Sequence, residues 1–331
     1  MAREASIGKK AKILYLMQIL LERTDDSHSI TMSEILAALE SYGITAERKS
    51  IYSDIEVLEQ FGLDIIKSQE GGTYTYHVGS RQFELAELKL LVDSIQAAKF
   101  ITERKSNELI KKIESLTSDD EAKQLHRQVI VSGRVKSMNE SIYYNVDVIH
   151  QAIASDVQVD FQYFQWNADK EMELRHDGKI YTVSPWALLL DNDYYYMVAY
   201  DPEADCIKHF RVDKLRKIAL TDEKRIGKKA FKAFDVVSYA NKMFDMFDGE
   251  DESVTIECEN YLAGVMIDRF GKDVNMIRIN DGHFKVKVDV AVSKQFIHWV
   301  MSLGDGAKIV APASVVDEVK DEIKRLTKLY K

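Results

Sequence analysis

The sequence predicts a multidomain protein of the α+β class, and three observations predict it. Apolar residues recur at helical spacing through the N-terminal part of the chain. From about Tyr143 the period drops to two, as in antiparallel strands. The C-terminal stretch from Ser253 then reads as β-α-β-β-α-β followed by a helix, a split-βαβ order. The 331 residues leave room for two or three domains at about 100–200 residues each. A hydrophobic share of 46% supplies packed cores and excludes global disorder. With three prolines and no Gly/Ser-rich tract, the linkers are expected to be helical or short. Cys206 and Cys258 match no metal or redox spacing, which suits a reducing cytoplasm.

The first expected domain spans residues 1–80. The opening "MAREASIGKKAKILYLMQILLERT" carries Ile13, Leu16, Met17, Leu20 and Leu21 on one face. Its charges and Gln18 make it an amphipathic helix rather than a signal peptide or membrane span. Thr31 and Glu34 form a capping box for a second helix, with Ile30 and Ile35 as its hydrophobic staple, and Gly43 ends it. A short connection leads to a third helix, "ERKSIYSDIEVLEQFG", with Ile51, Ile55 and Leu58 facing inward. "LDIIKSQEGGTYTYHV" then runs out to Gly71-Gly72 and back. This is a winged helix-turn-helix plan, in which the third helix enters the DNA major groove. Residues 1–80 hold eight Lys+Arg against twelve Asp+Glu, and the whole chain has a net charge of −9. DNA binding therefore requires Lys9, Lys10, Lys12, Arg48, Lys49 and Lys67 to gather on one surface. The alternative is a helical module for protein contacts.

Residues 81–140 read as a helical linker, with Leu85, Leu88, Leu91, Val92 and Ile95 on one helix and Leu109, Ile110, Ile113 and Leu116 on the next. Asp119-Asp120 is expected to break the pattern before a third segment near 121–131. Such a lever can pass a conformational change between modules, zip two chains together, or simply pack on its neighbour. Residues 141–225 read as a short helix and about five strands, the layout of a small Sm-like five-stranded β-barrel. Here "YYYMVAYD" places four tyrosines within seven residues. His209, Arg211 and Asp213 share one side of a nearby strand. Phenol rings and a guanidinium suit an anionic aromatic ligand, but they equally suit a tyrosine-rich core with Arg211 satisfied by an acid. Residues 226–252, including the acidic "FDGEDES", form a connecting segment, and residues 253–331 form the ferredoxin-like domain. His283, His298 and Trp299 read as surface or core, and neither a metal nor a cofactor is expected. The chain has no P-loop, G-x-S-x-G, H-E-x-x-H or dinucleotide fingerprint, so no catalytic residues are assigned. Two rival classes remain: a metal-independent phosphodiesterase or nuclease barrel, and a protein-interaction scaffold without DNA binding.

Three blocks resemble one family, the WYL-domain transcriptional regulators. "RKSIYSDIEVLEQFGLDI" followed by "GGTYTY" is similar to their winged-helix head, through Arg48, Lys49, Ser50, Ile51, Tyr52, Asp54 and Ile55. Ser53 stands where the family often has a second arginine. "YYMVAYD" resembles the motif that names the family, with Tyr195 for Trp and Met197 for Leu, and "YTVSPWALLLDND" and "HFRVDKL" resemble the flanking strands. The resemblance implies a cytoplasmic bacterial regulator, more readily a repressor, that binds double-stranded operator DNA as a homodimer and has no membrane partner. Lys49, Ser50 and Ser53 would read base edges, and Arg48 and Tyr52 phosphates, with Lys67 on the wing. It also implies a sensor barrel for a nucleotide-type or single-stranded nucleic-acid effector. Tyr163, Ser184, Tyr196, His209 and Arg211 would bind this ligand, and Trp186 and Tyr195 would form the wall. The C-terminal domain resembles the WCX-type extension, which often helps to pair two subunits.

Overall fold

The computed structural model describes residues 2–125, 136–137, 139–233 and 249–331, which divide into two compact units, 1–140 and 141–331. The architecture is mixed α+β with separate antiparallel sheets.

The first unit opens with α1 (Ala2–Arg23), β1 (Ile30–Thr31), α2 (Met32–Ser41) and α3 (Arg48–Phe61), followed by the hairpin β2 (Ile65–Glu70) and β3 (Thr73–Val78). Leu16, Ile19 and Leu20 of α1 are buried with Ile35 and Leu39 of α2, Ile51, Ile55 and Leu58 of α3, and Tyr76 and Val78 of β3. Apolar side chains thus meet from every element. The capping box forms as read: Glu34 N–H donates to Thr31 Oγ1 at 3.3 Å, and Thr31 N–H to Glu34 Oε2 at 2.7 Å. Gly62, at φ +107°, stops α3 in the left-handed conformation that glycine adopts without a Cβ clash.

Next come α4 (Leu85–Ala97), α5 (Glu103–Glu114) and α6 (Asp119–Leu125), packed around Leu88, Val92, Ile110 and Leu125. Asp119 and Asp120, read as a break, instead occupy the first turn of α6. Carboxylates are favoured there by the unpaired N–H groups. The expected continuation to residue 131 lies outside the described residues. A polar knot ties the hairpin and α6 to the end of α1. The Arg81 guanidinium donates to the carbonyls of Leu21 and Thr24, Val78 N–H donates to Thr24 Oγ1, and the buried Asp25 accepts from Ser118.

The second unit begins with α7 (Ile142–Ser155), β4 (Val157–Trp166), β5 (Met172–Leu174), β6 (Ile180–Asp191), β7 (Tyr194–Asp201), β8 (Cys206–Arg211) and β9 (Leu215–Lys224). The five main strands follow the order β9–β4–β6–β7–β8, and the short β5 also pairs with β4. The sheet curls but does not close into the expected barrel. β8 and β9 are joined by a short 3₁₀ turn, Val212–Lys214, and no ladder links them. Asn145 of α7 donates to the carbonyls of Val212 and Leu215, so a helix satisfies carbonyls at the two ends of that turn. After β9 the chain crosses back over the sheet into α8 (Lys228–Ala233). Trp186 lies between the Arg225 guanidinium, 4.1 Å from its centroid, and the Phe231 ring at 5.2 Å. Gly227, at φ +81°, makes the turn directly against the Tyr200 ring.

The chain ends with β10 (Glu250–Glu259), α9 (Ala263–Phe270), β11 (Asn275–Arg278), β12 (His283–Val292), α10 (Lys294–Ser302), β13 (Ala307–Ala311) and α11 (Ala313–Leu329). This is the succession read from the sequence, with an antiparallel strand order of β11–β12–β10–β13. One sheet face packs on the helices through Val254, Ile256, Met266, Val286, Phe296 and Val315. The buried Glu322 of α11 accepts from Arg325 and from His298 of α10, which hold its carboxyl down at about 2. Ala291 of β12 is buried with Tyr196 of β7, and Leu189 and Tyr194 pack beside them.

The turn at Gly227 yields a direct test. Gly227→Ala drives a Cβ into the Tyr200 ring in a left-handed backbone, and is expected to cost about 1–3 kcal/mol. Gly264→Ala in α9 meets nothing within 4 Å and should instead stabilise by about 0.5–1 kcal/mol. Chemical denaturation of the full chain measures both.

Candidate functional site

Two sites emerge, one in each unit. In the first, Arg48, Lys49, Tyr52 and Ser53 lie on the exposed arc of α3, while Ile51, Ile55 and Leu58 face the core. Lys67, exposed on β2, reaches toward this arc. Its ammonium is 4.1 Å from the centroid of the Tyr74 ring and 6.0 Å from that of Tyr52. A cation over tyrosine faces is attracted by the ring quadrupole, which draws hairpin and helix into one surface. Beneath it, burial pushes the Tyr76 phenol up to about 12, with the Tyr52 hydroxyl adding to the effect. Glu56, one turn beyond Tyr52, is exposed on the same arc and opposes the cations.

Ser50 stands apart from the other predicted DNA contacts. It is half-buried, and its Oγ accepts from the Lys12 ammonium of α1. The same ammonium lies 2.7 Å from Asp54 Oδ2, with the two side chains 12% and 18% exposed. Ser50 and Asp54, one helical turn apart, therefore clamp α3 to α1 through Lys12. Of the cations required to converge, Lys12 is engaged inside the unit, whereas Arg48, Lys49 and Lys67 face outward. Lys12→Met would leave the Asp54 carboxylate without its partner, and should lower stability by about 1–3 kcal/mol in chemical denaturation. The same change should leave the exposed arc of α3 in place.

In the second unit a cleft of about 530 Å³ opens on the curled sheet, with an aromatic floor of Tyr163, Tyr181 and Phe210. Phe210 meets Tyr163 and Tyr181 edge-on, with centroids 5.9 Å away in each case, and Phe161 stacks on Tyr181 at 5.4 Å. Arg175, His176, Lys179, Lys208 and His209 bring nitrogen to the rim, and Asp201 and Glu203 bring carboxylates. The rim cations are partly matched. Lys208 pairs with Asp201 at 2.6 Å and Lys179 with Glu203. Burial works to raise the Asp201 carboxyl, but the Lys208 hydrogen bond and nearby backbone N–H groups outweigh it and hold the group below the usual range. Arg175 lies 5.9 Å from the Tyr163 centroid and makes no ion pair among the described residues. Consecutive left-handed residues, His176 at φ +51° and Asp177 at φ +53°, turn the loop so that it presents Arg175 and His176. Such a conformation costs non-glycine residues roughly 1–2 kcal/mol each. Gln162 fastens the loop by donating to Gly178 O at 2.8 Å.

Of the predicted ligand residues, the cleft takes in Tyr163 and His209. Ser184 is fully buried and accepts from Ile226 N–H at 2.9 Å, anchoring the chain after β9. Tyr196 is 7% exposed and packs on Ala291. The Arg211 guanidinium donates to both Asp213 carboxylate oxygens at 3.0 and 2.8 Å, and lies 3.7 Å from the Tyr194 centroid. Its side chain is 32% exposed, so the pair is not sealed from water. Burial opposes its charge, but the Asp213 bonds outweigh that and raise the guanidinium pKa further above its ordinary value. Arg175, His176, Lys179, Tyr181 and Lys208 were missed by the sequence reading. The "RHDGK" run, three basic residues around an Asp-Gly turn, was the signal that could have found them. Among the described residues no group of three or more His, Cys, Asp or Glu is arranged to hold a metal, and no helix is long and apolar enough to cross a membrane.

Comparison with known family models bears on the second unit. The WYL domain model matches residues 144–220 and the WCX domain model residues 250–327. No curated protein matches. Among solved structures, one similar chain is Proteasome accessory factor B/C (PafBC) of Arthrobacter aurescens, at 14% identity and a TM-score of 0.28. The match covers 94% of this chain and 46% of that one, so this chain spans less than half its length. Another, described as a CRISPR Cas-related protein, matches at 12% identity and a TM-score of 0.37 over 98% of this chain and 83% of its own. The chain thus contains a WYL domain, built around the curled sheet, and a WCX domain that follows it.

Proposed function

We propose that the chain is a DNA-binding transcriptional regulator, acting as a repressor, whose WYL sheet senses a nucleotide-type or single-stranded nucleic-acid effector. The reading rests on one observation above all. Arg48, Lys49, Tyr52 and Ser53 are presented together on α3, with Lys67 of the hairpin drawn over Tyr52 and Tyr74. That is the contact set a winged helix-turn-helix needs, with cations and hydroxyls for phosphates and short polar groups for base edges. A locally cationic face in a chain of net charge −9 keeps non-specific DNA affinity low and leaves selectivity to a few contacts. Two copies would read a near-palindromic operator with half-sites about 10 bp, or a multiple of it, apart. The curled sheet of the WYL domain supplies the sensing half. Its cleft sets an aromatic floor beneath Arg175 and His176, a pairing that suits a base with its phosphate. Ligand occupancy shifts the balance between head arrangements by a coupling typically worth about 1–3 kcal/mol. The protein works in the cytoplasm as a homodimer, without a cofactor and without catalysis.

Selection from randomised DNA with the full chain, followed by mobility shift on the selected site, tests the head. Arg48→Ala and Lys49→Ala should each weaken binding, and each phosphate contact removed should flatten the salt dependence by about one unit of slope. Unchanged shifts in both variants would take α3 out of the interface. Titration calorimetry with adenosine monophosphate and with a single-stranded oligodeoxynucleotide of roughly ten residues tests the cleft. At least one probe should bind the wild type, and Arg175→Ala should weaken it about tenfold, the effect of ~1.4 kcal/mol. Equal affinity in the variant would move the effector site elsewhere.

A further inference from the structure

The cleft stands one layer away from the contact between the WYL and WCX domains, and two of its residues reach that layer. The Tyr163 hydroxyl, on the cleft floor, accepts from Arg211 N–H at 3.2 Å. His209, on the rim, meets the Tyr196 ring edge-on at 6.1 Å. Arg211 and Tyr196 are themselves cross-strand partners in the β7–β8 ladder. Beyond them, the Arg211 guanidinium is stacked on Tyr194 while Asp213 grips it at both oxygens. Tyr194, Tyr196 and Leu189 make the small apolar platform on which Ala291 of the WCX strand β12 rests.

We propose that Arg211 is a positioning residue for the WYL–WCX contact, its stacking on Tyr194 holding the platform under Ala291 and letting the state of the cleft reach β12. The proposal rests on the sensing role of the cleft given above and names how that role leaves the WYL domain. Arg211 is suited to it because a planar guanidinium can chelate a carboxylate and lie flat on a ring at once, which an ammonium cannot. The fork to Asp213 leaves the guanidinium one preferred plane, and that plane fixes the Tyr194 ring. Ala291 presents only a methyl group to the platform, so it follows any tilt of the rings without a large side chain to take up the change. A tilt of Tyr194, or loss of the Tyr163–Arg211 bond when a ligand engages the Tyr163 hydroxyl, removes the support on one side of Ala291. Coupling of this sort travels through groups in direct contact, and its warrant is a change at one end that is felt at the other.

Amide hydrogen exchange on the full chain reads the contact without requiring a ligand. In Arg211→Lys, which keeps the charge but loses fork and stack, the amides at the end of β12 around Ala291 should exchange about fivefold faster, the population change of ~1 kcal/mol of local stability. Those in the middle of β10 should be unaltered. Tyr194→Leu, which removes the ring and leaves the Arg211–Asp213 pair, should give the same local acceleration. Tyr163→Phe, a change made in the cleft, should accelerate the same amides to a smaller degree. Acceleration spread evenly through β10, β11 and β12, or unchanged exchange near Ala291 in both Arg211→Lys and Tyr194→Leu, overturns the proposal. A null result with Tyr163→Phe alone also overturns it, since the cleft would then be silent at β12. Failure of the nucleotide probes to bind would sink the sensing reading and leave these exchange results standing, so the two failures are told apart.

Discussion

The WYL sheet is organised around how a single, partly buried guanidinium is held at the end of β8. Arg211 cannot give up its proton, so burying it demands either a matched anion or an aromatic face, and here it has both. Asp213 is in the same position, a nearly buried carboxylate whose charge is tolerable because a fork of two N–H donors meets it. Because the pair lies at the end of β8, just before the 3₁₀ turn, it fixes where the strand stops and where β9 begins. Strand β7 pairs with that corner through Tyr196, the cleft floor bonds to it through Tyr163, and Tyr194 under its guanidinium packs beside Ala291 of the WCX domain.

Much of this was legible in the sequence, and the reasons differ from element to element. The capping box at Thr31 and Glu34 and the stop at Gly62 were readable because they are local: a side chain bonding three residues away, and a backbone conformation that favours one residue type. The C-terminal β-α-β-β-α-β succession was readable because β12 alternates between buried and exposed positions from Phe284 to Val290, before a buried run at its end. Asp119-Asp120 misled because the same two acids that disrupt a helix interior favour its first turn, and nothing local says which end they occupy. The cleft was legible only in part. Tyr163, His209, Ser184 and Tyr196 were all named through the family resemblance, but Ser184 and Tyr196 face other neighbours than the cleft. Period-two alternation reports which side of a strand a residue is on and not what lies over it. In a curled sheet with bulges in β4 and β6, even the side changes along the strand.

Charge shows the same gap between composition and placement. The acidic balance of the chain left DNA binding to a local cluster of charge, and Arg48, Lys49 and Lys67 are exposed on one surface while Lys12 is paired with Asp54 inside the unit. In the cleft, Lys179 and Lys208 are already matched by Glu203 and Asp201. Fixed carboxylates thus stand beside two of the rim cations, whereas Arg175 makes no ion pair among the described residues.

The seam between β8 and β9 has one more consequence. A hydrogen-bonded drum has a fixed girth, because widening it means breaking a row of backbone bonds together. Here the circumference is interrupted, and one asparagine reaching from a helix holds two carbonyls of the turn that connects the strands. The girth of the sheet is therefore set at this seam by the connecting turn and the helix that holds it, not by a row of backbone bonds.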